Sequence, residues 1–428
     1  MPQERILRKG WVPVPQLMRP EEERVDSHSL EENVVTLGRT SRRILGALAS
    51  TSILSLVLAS AGVSAGEQQT LDPRQAMVTA LSASGPHPSL GDDAQLFDRF
   101  VGTWDCEYAN YAADGSVSRS TGEVLFGWII DGRAMQDIWL SYPEDADSER
   151  HIGTSVRYYD TKLAQWRVVW VDPVSGSISI VTGGAVGERI VLGNQDTDGT
   201  MRRWSFNDIR PNSFIWRSEK SRDGGKTWRL EAEYHMKRRG VASPTSSQSR
   251  DGAIADSRRA MITVLPASQP HPSIAGKAQL FDRFVGTWDC DYTFFLGDGS
   301  ARQSSGELRF GWIIDGRALQ DIWVTYPKEG SEERAIGTSV RFFDTKSNMW
   351  RVVFVSPAFG AVISVQGEAE GDRIVLRGVD DQGGMLRWSF DDIQADSFIW
   401  HGETSRDGGK SWKLEEEHHM RRRSSARP

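Results

Sequence analysis

The sequence predicts an all-β protein built from two tandem antiparallel up-and-down barrels, each of about ten strands with a short helix in front. Three observations predict it. The chain repeats itself: Asp72 to Arg239 aligns with Asp256 to Arg423 at a constant offset of 184, without a gap and with more than half of the paired positions identical. A repeat of that length is a whole domain, because solenoid and propeller repeats run about 20–50 residues. Within each copy, apolar and polar residues alternate between short Gly/Asp/Asn turns. Helical crossovers are missing, which excludes a parallel sheet of βαβ units.

The elements of the first copy follow in order. Pro86-His87-Pro88-Ser89 is rigid and non-helical, and Asp92 or Asp93 then caps a helix from Ala94 to Phe100. Gly102 stops it. Trp104 to Tyr108 alternates as the first strand, and Val124 to Ile130 forms the next, turned by Asp131-Gly132. Further strands are expected at Ala134–Tyr142, Ile152–Tyr159, Trp166–Val171, Ser177–Thr182, Arg189–Leu192, Met201–Phe206, Phe214–Lys220 and Thr227–Met236. Consecutive hairpins leave sheet edges that only closure removes, so a barrel is favoured over a sandwich. The second copy repeats this plan. Residues 72–239 and 256–423 are therefore the two barrels. Ser-rich residues 240–255, with no apolar periodicity, are expected to be a flexible linker that lets the barrels move independently.

Ahead of the barrels, Ser41-Arg42-Arg43 precedes an apolar run from Ile44 to Leu58 and the small-residue stretches Ala59-Ser60-Ala61 and Val63-Ser64-Ala65. This is the make-up of a secretory signal, and the paired arginines resemble a twin-arginine export signal. Residues 1–65 are expected to be leader and export signal. The mature protein is then periplasmic or secreted, with no membrane span left after removal; an uncleaved anchor is the alternative.

The formal net charge is −7 with both signs interspersed, which gives no nucleic-acid footprint. The two cysteines, Cys106 and Cys290, hold the same position in the two copies, so neither copy can close its own disulfide or build a multi-cysteine metal site. No metal is expected. Each reads as a buried small hydrophobe, two residues after an inward tryptophan.

Gly102-x-Trp104 after a short helix, the fuller run Leu96-Phe97-x-x-Phe100-Val101-Gly102-Thr103-Trp104, and the basic ends at Lys237-Arg238-Arg239 and Arg421-Arg422-Arg423 resemble the calycin/lipocalin superfamily. The pattern is most similar to bacterial exported barrel families of unknown function, such as the domain-of-unknown-function 1579 proteins. That resemblance implies that Trp104 plugs one barrel end beneath a basic residue, Arg238 or Arg239. Ser221-Arg222-Asp223-Gly224-Gly225-Lys226-Thr227-Trp228 and its copy at Ser405–Trp412 resemble the Asp-box of sialidase propellers. That device recurs in every propeller blade but stands once per copy here, so a hairpin-stabilising role is expected and a glycosidase is not. Calycin-like nitrobindins carry haem on a histidine near the last strand. His235 and His419 lie in that region, but alternation sets them with Glu231, Glu233, Glu415 and Glu417 on the polar face, so no haem is expected.

The candidate ligand site is the lumen. Residues two apart in a strand share a face, so an inward Trp139 carries Asp137 with it, and Arg157 is the expected partner. The lining predicted for the first copy is Phe126, Trp128, Trp139, Trp166, Trp170 and Trp204, with Asp137 and Arg157 as polar tips. For the second it is Phe310, Trp312, Trp323, Trp350 and Trp388, with Asp321 and Arg341. Beside an arginine, Asp137 is expected to have a depressed pKa, which makes it a poor general base. For the shared strand-borne polar residues Arg133, Gln136, Asp137, Ser155, Arg157 and Arg167, outward pairing across strands is the default expectation and a polar lumen the alternative. The function expected is binding of a small apolar or amphipathic molecule, done twice. A structural module with filled barrels, or a lumen-based isomerase or hydrolase, is the alternative.

Overall fold

The computed structural model describes residues 73–142, 149–196, 198–240, 247–327 and 334–424. The expected leader and export signal lie outside the described residues. In the first repeat the helix α1 (Pro73–Leu81) and the short α2 (Gln95–Asp98) precede ten strands: β1 (Gly102–Tyr111), β2 (Val117–Ile129), β3 (Ala134–Tyr142), β4 (His151–Asp160), β5 (Gln165–Asp172), β6 (Ser177–Val186), β7 (Arg189–Gln195), β8 (Met201–Arg210), β9 (Ser213–Ser221) and β10 (Arg229–Arg238). The second repeat has α3 (Ser247–Val264), α4 (Ala275–Asp282), β11 (Gly286–Phe295), β12 (Ala301–Ile313), β13 (Ala318–Thr325), β14 (Ile336–Asp344), β15 (Met349–Ser356), β16 (Ala361–Glu370), β17 (Arg373–Val379), β18 (Met385–Asp391), β19 (Ser397–Ser405) and β20 (Lys413–Arg422). Each set of strands is antiparallel and closes, β1 on β10 and β11 on β20. Among the described residues, no helix is long and apolar enough to cross a membrane.

One barrel end is sealed as the GxW pattern predicts. Trp104 is buried, and its Nε1 donates to the Phe100 carbonyl at 2.7 Å. The Arg238 guanidinium lies 4.1 Å above the ring and donates to the carbonyls of Val101 and Arg99, each at 2.6 Å, and of Pro211 at 2.9 Å. Trp288 and Arg422 repeat the arrangement at 4.1 Å. Above this seal the residues of α2 and the turn after it press a phenylalanine plug into the lumen. Phe97 packs on Trp166 at 4.8 Å, and Phe100 on Phe214 at 4.7 Å.

The Asp-boxes sit at the β9–β10 and β19–β20 hairpin tips. Ser221 Oγ donates to Asp223 Oδ1 at 2.8 Å, and Asp223 accepts from the Thr227 amide at 2.9 Å and the Thr227 hydroxyl at 2.6 Å. Trp228 Nε1 closes the turn on the Gly225 carbonyl at 3.0 Å. Thr227 and Trp228 are used up in the turn, so β10 begins at Arg229 rather than at Thr227.

Of the expected flexible linker 240–255, residues 241–246 lie outside the described residues, and the rest is corrected by the fold. Residues from Ser247 onward are helical, and they do not separate the barrels. Helix α3, which precedes the second barrel, packs on β1 and β2 of the first, while α1 packs on β11, β12 and β13 of the second. Ser257 Oγ donates to the Phe126 carbonyl, and Arg309 Nη1 donates to the Ala76 carbonyl at 3.4 Å. Gly127 permits the approach of α3, since a Cβ there would meet Met261 Cγ at 2.7 Å. The helix ends then return to their own barrels, Ile130 N to Leu81 O at 2.8 Å and Ile314 N to Leu265 O at 3.0 Å. The two helices are thus exchanged arms.

Between the arms, the outer walls of β2–β5 and β12–β15 meet. Leu125, Ile138, Leu140, Val156 and Val169 share one buried apolar cluster with Ile322, Val324, Val340 and Val353. At its centre Gln136 and Gln320 face each other, each Nε2 donating to the other's Oε1 at 3.1 Å and to its own barrel's threonine, Thr154 or Thr338, at 3.0 Å. The rim is reciprocal. Arg150 pairs with Asp315, and Arg334 with Asp131. Arg167 donates to the Gly360 carbonyl and Arg351 to that of Gly176. Gln136 and Arg167 therefore do point outward, but into the other barrel rather than across strands to solvent.

Candidate functional site

Each lumen is built on a buried ion pair. Asp137 and Arg157, on the neighbouring strands β3 and β4, are 5% and 3% exposed, and the guanidinium Nη2 donates to Asp137 Oδ2. The other carboxylate oxygen accepts from the Ser155 amide at 2.9 Å. The arginine is sandwiched between Phe97 and Phe126, its Cζ 4.9 and 5.1 Å from the ring centres. Asp321, Arg341 and the Ser339 amide repeat this, with Phe310 and Phe281 as the flanking rings. Burial is the largest influence on Asp137 and raises its carboxyl above the ordinary range, against the opposing pull of Arg157 and the Ser155 amide. This direction is opposite to the depression expected from the arginine alone, because burial acts against the charged form.

Arg157 and Arg341 are only partly used. In each, Nε and Nη1 are buried without a hydrogen-bond partner, and so are Trp139 Nε1 and Trp323 Nε1. These are donors held in an apolar wall. Such groups are rare in folded proteins, because each one left unmet costs about 1–3 kcal/mol.

The predicted lining divides into two sets. In the second barrel a cavity of about 320 Å³ is lined by Phe310, Asp321, Trp323, Arg341 and Trp388 among the predicted residues. Trp312 and Trp350 do not line it: they lie under α4, where Trp312 Nε1 donates to Asp282 at 2.7 Å and Trp350 packs on Phe281 at 4.8 Å. Their counterparts Trp128 and Trp166 belong to the first barrel's plug in the same way. Sequence reasoning missed Phe354, Trp400 and His418, which all line the cavity. Strict alternation on β20 points at His418, but only in this copy, where histidine replaces Tyr234. His418 is 4% exposed and stacks on Trp400 at 4.7 Å. Glu416 Oε2 lies 3.2 Å from its Nε2, without the geometry of a hydrogen bond. His235 and His419 are on the outer wall, each beside a glutamate of its own strand at 2.9 Å. His87 caps the turn before α2 and meets Arg133 at 3.2 Å.

The lumens differ where the copies differ. In the first barrel a chain of rings crosses the interior: Trp170 to Trp139 at 5.8 Å, Trp139 to Tyr234 at 6.1 Å, and Tyr234 to Trp216 at 4.7 Å. Trp204 adjoins Trp216 at 5.9 Å. In the second barrel Phe354 stands for Trp170, His418 for Tyr234, Leu386 for Arg202 and Gly402 for Ser218. Trp323 meets Tyr292 at 5.4 Å, as Trp139 meets Tyr108 at 5.0 Å, and adds Phe359 at 6.1 Å. Gly153 and Gly337 occupy equivalent places on β4 and β14 and let these rings lie against the strand backbone: a Cβ would meet Trp170 at 2.3 Å or Phe354 at 2.6 Å.

No family model matches the chain, and no curated protein matches it. Among solved structures, it is similar to an S-type phycobiliprotein lyase from Guillardia theta at 12% identity, covering 35% of this chain and 93% of that one with a TM-score of 0.27. Rv2717c from M. tuberculosis is similar at 14% identity over 36% of this chain and 99% of that one, with a TM-score of 0.27. A protein of unknown function from Nostoc punctiforme, of the DUF3598 family, is 10% identical and covers 77% of this chain and 98% of that one, with a TM-score of 0.19. The functional reading rests on the lumens themselves.

Proposed function

We propose that this chain is a calycin-like binding protein whose second barrel takes one small apolar or amphipathic molecule, while the first is its filled, structural half. The cavity of about 320 Å³ behind Trp323 and Trp400 carries the reading. It falls in the roughly 300–1,000 Å³ range of small-molecule pockets and joins an apolar wall to a few buried polar groups, as such sites do. The larger rings of Trp170 and Tyr234 in the first barrel, where the second has Phe354 and His418, support the unequal roles. An exported setting is part of the proposal, on the strength of the Arg42-Arg43 signal alone. Kinship with the domain-of-unknown-function 1579 proteins is likewise proposed, from the GxW, Asp-box and basic-end patterns.

The test is a titration of the purified chain with prodan, a small uncharged fluorescent naphthyl ketone. One equivalent is expected to bind with a blue shift. Phe354→Trp/His418→Tyr, which gives the second lumen the residues that the first already accommodates, should abolish the signal and leave the circular dichroism unchanged. Two equivalents per chain, or binding indifferent to this variant, would overturn the proposal.

A further inference from the structure

We infer that the second lumen is built for an uncharged, flat apolar molecule carrying a hydrogen-bond acceptor, such as a ketone or ester carbonyl, seated on Arg341 and Trp323. This rests on the lumen reading above and goes on to the class of ligand. Three observations carry it.

First, the cavity wall at Arg341 and Trp323 presents donors that no acceptor meets. Arg341 is 3% exposed and spends one nitrogen on Asp321, while its Nε and Nη1 are unpartnered; the Trp323 Nε1, in a side chain 8% exposed, is unpartnered as well. Guanidinium and indole nitrogens can only donate, so only an acceptor satisfies them. Second, this end of the site has no net charge to offer. Asp321 neutralises Arg341 at contact distance, and Phe281 and Phe310 cover the guanidinium. A carboxylate ligand would place a second anion beside Asp321 in a medium of low dielectric, and a cation would face Arg341. Third, the lining adds carboxylates toward the other end of the barrel. Glu403, Glu415 and Glu416 all border the cavity; Glu403 is paired with Arg387 at 2.6 Å and Glu415 lies 3.7 Å from Lys413, while Glu416, beside His418, stands where the first barrel has Ala232. An anion would have to pass them, whereas a neutral molecule would not be repelled. The body of the ligand is then set by the rings of Trp388, Trp400 and Phe354, which offer flat apolar faces.

Four probes sharing one ring system separate these cases on the unmodified chain: 2-acetylnaphthalene, 2-isopropylnaphthalene, 2-naphthoate and 1-(2-naphthyl)ethylammonium, measured by calorimetry at neutral pH. The ketone is expected to bind at least about ten-fold more tightly than each of the other three. Asp321→Asn/Arg341→Met removes the pair together, leaves no lone charge buried, and should bring ketone and hydrocarbon within about two-fold of each other. Trp323→Phe keeps a ring and should lose part of the preference. Asp137→Asn/Arg157→Met in the first barrel should leave it intact. If the naphthoate or the ammonium binds as well as the ketone, or the hydrocarbon equals it, while Phe354→Trp/His418→Tyr still abolishes binding, the acceptor inference is overturned and the lumen reading stands. If no probe binds, or binding ignores that variant, both are overturned. The ranking of the four probes decides the matter even where a variant fails to fold.

Discussion

The paired amides of Gln136 and Gln320 give a sharp test of how the barrels hold each other. Both residues are fully buried, and each is both donor and acceptor to the other at 3.1 Å. Gln136→Leu removes both bonds. It leaves the Gln320 Oε1 without a donor and one Gln320 N–H without an acceptor, inside an apolar cluster. At about 1–3 kcal/mol for each buried group left unmet, the single variant should cost about 2–4 kcal/mol, and Gln320→Leu the same. The double variant leaves neither orphan. Thr154 and Thr338 stay satisfied because each still donates to a backbone carbonyl, Asp137 O at 2.5 Å in the first case and Asp321 O at 2.5 Å in the second. It should therefore cost less than either single variant, a departure from additivity of at least about 2 kcal/mol. Urea unfolding followed by tryptophan fluorescence and far-ultraviolet circular dichroism measures this. One transition is expected for both barrels, since their cores are continuous at this wall. Additive costs, or two transitions of which the variants move only one, would refute the reasoning.

Other consequences are as direct. Arg238→Ala uncovers Trp104 and frees three carbonyls, and should cost about 2–4 kcal/mol in chemical denaturation, with Arg238→Lys recovering little because an ammonium cannot make the fork. Asp223 has its carboxyl lowered to about 2 by bonds from Thr227 and Ser221. Its contribution is thus present above the ordinary carboxyl range and lost as pH falls through about 2; Asp223→Ala should lower the Tm at pH 7 and leave prodan binding unchanged. Burial pushes the Cys290 thiol up to about 12 and raises that of Cys106 as well. Neither should react with a maleimide at pH 7.5 until the protein is unfolded, and a fast-labelling thiol in the native state would contradict the fold.

Much of this architecture was legible in the residues. Alternation gave the strands, the GxW run gave the sealed end, and the spacing of Asp137 and Trp139 gave the buried pair. The interface between the barrels was hidden for a physical reason. On β3 the outward residues Ile138 and Leu140 are as apolar as the inward Met135 and Trp139, and a strand buried on both faces loses the alternation that reports its surroundings. Helix α3 was hidden because Met261, and Leu265 just past its end, pack on groups far away in sequence, while its Ser- and Arg-rich start reads as linker. His418 was visible only by setting the copies side by side and asking which inward position had changed.

The exchanged arms and reciprocal rim describe a symmetric dimer whose two subunits have been joined into one chain. A dimer of identical subunits carries two identical cavities, and any change to one is a change to both. It also dissolves on dilution, because its stability depends on protomer concentration. Joining the halves removes both constraints. What must stay matched are the reciprocal polar contacts of the wall, and there the copies agree, Gln136 with Gln320, Arg150 with Arg334, Asp131 with Asp315, Arg167 with Arg351, while the apolar Leu125 has Arg309 as its counterpart. What need not match is the interior, and there Trp170 faces a phenylalanine counterpart and Tyr234 a histidine. Under the proposed function, the fused pair keeps one half as a fixed partner that completes the wall, and leaves the other free to specialise.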